Sequence, residues 1–374
     1  MPANKPPASG DTGFAVSFTV AALALAGLAF HLSPWGARAS LAMLDAGFGI
    51  LRAVGPKAAP DDILVVALDD AAAVSPDVDA VGPALRKLPE ILVRVARGRP
   101  RAIALLAPLP RGSLDKALPG FDEALAAGLM VAQAAAPLVV GMAVDSRSDV
   151  IPIHDRLLRD VDARALAFTL LPRDEDGTVR QVALSLPTQQ GQWPTAAGWL
   201  CQVLGGRCES GLVDYALGPA YRYMPARRLL DIRDDKALAR LFQGRVVFIA
   251  PVTGPADRVP QPVSLAGWEQ PTREPPTVLA HAQTLRTLLH GSALREVPLP
   301  LQILAIGVAA LLVLAATPVA LAATALAMAG ACTAGLVVLW GGWYLPMAAP
   351  MATLAAALPI GWLLHRHPRN RGLP

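Results

Sequence analysis

The residues whose types could do chemistry fall at three places along the chain. Asp69 and Asp70 close an apolar run, Asp62–Leu68 (DILVVAL). Thr253, Asp257 and Arg258 follow a second run, Arg245–Ala250 (RVVFIA). His281 stands near the start of a helical stretch. If both runs are buried strands, these residues lie beyond strand carboxyl ends, where open α/β sheets bind ligands. Converging there, they would make a polar pocket able to hold a small molecule or a cation. The competing reading is that Asp69 and Asp257 cap helices or loops, and that His281 is a satisfied buried histidine.

Other local patterns carry less. Asp174-Glu175-Asp176-Gly177-Thr178 is acidic, but it lacks the long ligand run and terminal glutamate of an EF-hand, so a plain turn is expected. Neither G-x-S-x-G, H-E-x-x-H nor a P-loop occurs. Of six histidines, His31, His365 and His367 fall at the ends of apolar segments. The reading is therefore of no enzyme, no cofactor and no metal site. Cys201 and Cys208 flank Gly205-Gly206 and either form a small-loop disulfide or stay free; Cys332 lies in an apolar run, as a small hydrophobe. The formal charge of +4 over 374 residues is too diffuse for a nucleic-acid reader. Its densest basic run, Arg86, Lys87, Arg94, Arg97, Arg99 and Arg101, reads as a solvated helix face and exit loop, or as a contact for anionic headgroups or an acidic partner.

Mean hydropathy is +0.43 and 53% of residues are hydrophobic, which favours one domain plus a membrane bundle. Gly13–Leu32 carries no Asp, Glu, Lys or Arg, and at ~1.5 Å per residue reaches about 30 Å, the hydrocarbon thickness. It is read as an uncleaved anchor; a signal peptide cut near Ala37-Arg38-Ala39 is the rival. Leu299–Thr317, Val319–Trp340 and Leu345–Leu364 are three further spans, with Trp340, Trp343 and Tyr344 expected at an interface or packed between helices. No Asp, Glu, Lys, Arg or His interrupts these three, which counts against a transporter or channel. Their many small residues suit close packing with each other, a partner, or a second copy.

The expected layout is a cytoplasmic tail over residues 1–12, one span over 13–32, an extracytoplasmic domain over 35–297, three spans over 299–364, and a basic cytoplasmic tail over 365–374. The arginine-rich tail sets that orientation by the positive-inside bias. The localisation is then a multi-pass bacterial inner-membrane protein with a periplasmic domain.

Within the domain, Ala39–Val54 reads as a helix leading in from the membrane. Asp62–Leu68, Arg101–Ala107, Leu129–Ala132, Leu138–Val144 and Arg245–Ala250 read as strands. Pro83–Arg97, Leu114–Ala127, Pro194–Leu204, Asp235–Phe242 and Val278–His290 read as helices, the first kinked or started late by Pro89. Ala165–Leu171 and Val179–Leu186, with turn residues between, read as a hairpin. Alternating strands and helices give an α/β fold with a largely parallel sheet and flanking helices, beside an α-helical bundle of four spans.

These landmarks resemble the second class of CHASE domain, an extracellular sensor of bacterial receptors. The resemblance rests on Asp62–Asp70 as opening strand, Asp122-Glu123-Ala124-Leu125 with the strand near Leu129, Asp174–Arg180 as a D-x-D-G-x-V-R hairpin, Leu241–Ile249, Asp257, Pro262 and Val278–Ala282. It covers about residues 35–364. Ser75–Asp79 replaces the family's tryptophan- and arginine-containing segment, and Ala107-Pro108-Leu109-Pro110 replaces an acidic residue after the second strand.

The resemblance implies a membrane-anchored sensory or ligand-binding module. With only three residues after Arg371, the expected output is a separate effector polypeptide, reached by a shift of Val278–His290 against the spans from Leu299. A structural subunit of an envelope complex, with no small ligand, is the alternative. Expected partners are the lipid bilayer, that effector protein, and a second copy meeting small-residue helix faces; nucleic acid is not among them.

Overall fold

The computed structural model describes residues 10–68, 83–143, 150–159, 161–188, 191–311 and 320–366. Asp69, Asp70 and Ser75–Asp79 lie outside the described residues. The chain divides into two compact units. One holds the described residues up to Leu51 and from Leu294, the other Arg52–Ala293.

In chain order, α1 (Gly10–His31) and α2 (Pro34–Val54) come first. Their axes differ by 77°. The break is written in the sequence: Ser33 Oγ accepts from Gly36 N at 3.1 Å, and Pro34, which has no N–H to lose, fills the first helical position. That cap starts α2 five residues before the expected Ala39.

The second unit is built on six strands. They are β1 (Ile63–Leu68), β2 (Ala102–Leu105), β3 (Leu138–Met142), β4 (Leu166–Phe168), and later β9 (Tyr223–Pro225) and β10 (Val246–Pro251). They lie in the order β4-β3-β2-β10-β1-β9, and every neighbouring pair is parallel. Parallel neighbours require crossovers, supplied by α3 (Pro83–Arg86), α4 (Leu88–Arg97), α5 (Phe121–Ala135), α6 (Asp155–Leu158), α7 (Ala196–Val203), α8 (Ala226–Asp231) and α9 (Asp235–Phe242), while α10 (Thr277–Leu289) follows the last strand of the sheet. Small antiparallel ladders pair β5 (Gln181–Val182) with β8 (Gly211–Leu212), and β6 (Ser185–Thr188) with β7 (Gly191–Pro194).

All six residues of β1 are buried, so the run is apolar on both faces. Leu64, Val66 and Leu68 join the core under α4, α5 and α9, with Ile91, Leu125 and Phe242. Strand side chains alternate, so Val65 and Ala67 turn to the opposite face, where α10 packs on β1 and β10.

Three expectations are corrected here. Leu129–Ala132 is helix, not strand: it lies inside α5, which starts at Phe121 rather than Leu114, because Gly120 in left-handed conformation (φ 76°) ends the preceding turn. Pro194 closes β7, and Thr195 caps α7 by accepting from Gly198 N at 3.0 Å. The expected hairpin does not pair with itself, since β4 pairs with β3 and β5 with β8. The second arm bonds elsewhere instead: Val179 N donates to Pro260 O at 3.0 Å and Val213 N to Arg180 O at 2.7 Å, while the buried Arg180 side chain bonds Asp174 and Asp176 at 2.8 Å each.

The other unit holds α1, most of α2, β11 (Arg295–Glu296), α11 (Leu299–Leu311), α12 (Ala320–Trp340), β12 (Trp343–Tyr344) and α13 (Ala348–Arg366). At Gly27, α1 lies so close to α13 and α11 that a Cβ would sit 2.2 Å from Thr353 Oγ1 and 2.8 Å from Ile306 Cγ2. Glycine is needed for that approach. Among the described residues, no single helix is long and apolar enough to cross a membrane, though the bent pair Ser17–His31 and Pro34–Val54 passes that test together. Residues 312–319, the end of the first expected C-terminal span, its link and the first residue of the next span, lie outside the described residues.

Candidate functional site

Four strands end at one cavity. Leu106 and Pro108 follow β2, Gly141 lies near the end of β3 and Ala143 follows it, Thr169–Leu171 and Arg173 follow β4, and Ala250 and Pro251 end β10. Asp257, Val259 and the first residues of α10, Thr277, Val278 and His281, complete it. Its volume is about 410 Å³, within the range of about 300–1,000 Å³ usual for small-molecule sites. This is the carboxyl edge of the parallel sheet, where a ligand was expected.

His281 is 1% exposed. Its Nε2 lies 3.0 Å from the carbonyl oxygen of Thr169. A carbonyl only accepts, so Nε2 carries the proton and Nδ1 is left as a lone-pair acceptor. That Nδ1 is buried and has no hydrogen-bond partner. An unmade bond of this kind costs on the order of 1–3 kcal/mol. Burial lowers the imidazole pKa to about 4, against the pull of the Thr169 carbonyl, so the ring is neutral near pH 7.

Asp257 sits in the short 3-10 turn Pro255–Asp257, half-buried. Desolvation raises its carboxyl pKa, opposed by a hydrogen bond from the Gly254 backbone. A Cβ on Gly254 would fall 2.5 Å from Asp257 Oδ2, so glycine keeps that approach open.

The expected residues thus divide. Asp257 and His281 meet at the cavity. Arg258 is instead held by Glu269, through Nη2–Oε2 at 2.8 Å and Nη1–Oε1 at 3.1 Å. Thr253 is exposed and is not one of the cavity walls, and Asp69 and Asp70 lie outside the described residues. Sequence reading missed Thr169 and Arg173, although the rule that led to Asp257 also points to the end of β4. At Asp174 and Asp176 the carboxylates serve Arg180, whose hydrogen bond holds the Asp176 carboxyl well below its usual range. Among the described residues, no group of three or more His, Cys, Asp or Glu could hold a metal ion.

A second buried polar cluster also escaped the sequence. Near the end of α2, Arg52 Nη1 donates to the carbonyls of Tyr215 (3.0 Å) and Gly218 (3.1 Å). On α10, fully buried Arg286 donates through Nη1 to Pro219 O (2.9 Å) and stacks on the Tyr221 ring, 3.9 Å from its centroid. Gln283, one turn earlier, bonds Asp214 O at 2.6 Å and Leu217 O at 3.0 Å. The segment Asp214–Tyr221 therefore ties the helix that enters this unit to the helix that leaves it. Lys57 closes the cluster on Asp214 at 2.7 Å. The available signal was a glutamine and an arginine three residues apart in one helical run. Cys201 and Cys208 are joined by a disulfide, with Cα atoms 5.9 Å apart.

A family model, the CHASE2 domain, matches residues 19–321. No curated protein and no solved structure matches the chain.

Proposed function

The chain belongs to the CHASE2 domain family of extracellular sensory domains, and from that premise we propose that it is a membrane-anchored sensor that binds a small ligand outside the membrane and passes the signal to a separate partner protein. The observation that carries this is the cavity of about 410 Å³ at the sheet's carboxyl edge, with Asp257 and His281 in its walls. Asp257 keeps polar capacity that the fold leaves unused, as a binding site requires.

Several features support an anchored, periplasmic arrangement. Large apolar side chains are exposed along α1, α11 and α12, including Phe18, Leu25, Leu304 and Leu326. Such belts suit lipid contact. The disulfide between Cys201 and Cys208 fits an oxidising compartment. On this reading the four expected spans cross the inner membrane, and α2, with Trp35 exposed and Arg38 6.0 Å from its ring, lies near the interface.

Signal transfer then runs along α10. Its first turns face the cavity, its middle carries Gln283 and Arg286, and the chain continues through 290–298 into α11. A ligand that favours one position of α10 shifts the population of that position. A thermal-shift screen of the full chain in detergent against small metabolites tests the reading. Ligand-dependent stabilisation that Asp257→Asn weakens supports it. Constant melting across the screen, with stoichiometric recovery of the chain in one fixed envelope complex, supports the scaffold alternative instead.

A further inference from the structure

The chemistry of the cavity walls narrows the ligand. Three of the lining residues are of ionisable type: Arg173, Asp257 and His281. Arg173 is an exposed cation at the rim, and Asp257 is an acceptor when ionised. His281 is held in the wall by its Nε2 on the Thr169 carbonyl, with Nδ1 buried out of reach of the cavity. The nearby guanidinium of Arg258 is already neutralised by Glu269.

The α10 N-terminus adds a positive end. It is a helix of 13 residues whose N-cap, Pro276, supplies no side-chain acceptor. The walls thus carry both features that favour an anionic group, Arg173 and the first turn of α10, and a carboxyl that favours a cationic donor, Asp257. A dianion would bring negative charge against Asp257. A simple amine would leave Arg173 and the helix end unused. The volume, near the low end of the usual range, suits a metabolite rather than a peptide.

Resting on the reading of this cavity as the ligand site, we propose that its occupant is a small zwitterion of the α-amino-acid class. Its ammonium group is taken by Asp257, and its carboxylate by Arg173 and the first turn of α10.

The test is calorimetric titration of the full chain in detergent micelles with each protein amino acid, with succinate and glucose as competing classes. The strongest amino acid is then compared with its deamino and decarboxy analogues. The expected result is saturable binding of at least one amino acid and at least tenfold weaker binding of each analogue. In Asp257→Asn the preference for the amino acid over its deamino analogue disappears, and in Arg173→Gln the preference over the decarboxy analogue disappears. Melting curves confirm that each variant is folded, and Arg173, being exposed, is the safer of the two.

No binding of any amino acid at millimolar concentration overturns the zwitterion assignment. Tighter binding of succinate or glucose that Asp257→Asn still weakens overturns it too, while leaving the cavity as the ligand site. Binding of any probe that Asp257→Asn, Arg173→Gln and His281→Gln all leave unchanged overturns both.

Discussion

The imidazole Nε2 of His281, on α10, meets the backbone oxygen of Thr169, just past β4, at 3.0 Å. One bond thus links the helix that leaves the domain to the edge of the sheet where the cavity opens. Its other nitrogen has no partner, and burial keeps the ring neutral down to about pH 4.

That depression gives a pH prediction with a definite sign. The unfolded ring titrates near 6.5 and the folded one near 4, so between these values the unfolded state binds more protons. Stability is complete above about pH 6.5 and falls as pH drops toward 4, by roughly 3 kcal/mol for this group. Thermal unfolding of the chain at pH 7 and pH 4.5 measures the loss. His281→Gln keeps a donor for the Thr169 carbonyl but does not titrate, so it removes this part of the acid sensitivity. An unchanged pH slope in the variant would show that His281 is not the group responsible.

Asp257 is predicted to trade stability for binding. Its carboxyl is desolvated with only a backbone hydrogen bond from Gly254 to offset it. Asp257→Asn therefore leaves the ligand-free stability at pH 7 unchanged or slightly raised, by less than about 1 kcal/mol, because a half-buried charge is removed. It weakens ligand binding at the same time. A large loss of stability would make Asp257 a structural residue.

Arg286 is predicted to be structural and costly to lose. Arg286→Met leaves the carbonyl of Pro219 short of a donor and removes the cation from the Tyr221 ring. The expected loss is about 1–3 kcal/mol, the cost of leaving a buried carbonyl without its donor. Arg52→Met, whose carbonyl partners Tyr215 and Gly218 lie in the same segment, should show coupling with it in a double-mutant cycle. Strictly additive losses would separate the two arginines.

The disulfide is predicted to matter for stability and to report location. Closing so short a loop contributes roughly 2–3 kcal/mol, so Cys208→Ser lowers stability by about that amount. In intact cells, Cys201 and Cys208 should resist thiol labelling until a reductant is added. Free reaction without reductant would place the domain in a reducing compartment.

Much of this architecture was legible in the residues. Buried parallel strands read as unbroken apolar runs, and that found β1, β2, β3 and β10 within a residue or two. The same signal failed at Leu129–Ala132, because a short apolar run has no period to separate a strand from one turn of buried helix. The turn at Asp174–Gly177 was visible, but not that Arg180 would fold inward onto it, since burial of an arginine depends on partners being brought to it. Of the candidate site, Asp257 and His281 were found by their position after strands and at a helix start. Thr169 and Arg173 were passed over because β4 is only three residues long and its end was read as one arm of a hairpin. The clip at Asp214–Tyr221 joins residues more than 150 positions apart, as with Arg52 and Tyr215, and no local pattern announces such a contact.

The most direct test of the central claim is hydrogen exchange on the full chain in lipid nanodiscs. It is followed by mass spectrometry with and without the amino acid that most raises the melting temperature. Slowed exchange at 169–173 and over the first turns of α10, 277–282, is predicted, and it should be lost in His281→Gln. Slowing confined to other segments, or equal slowing in the variant, would contradict a ligand site built on α10 at the sheet's carboxyl edge.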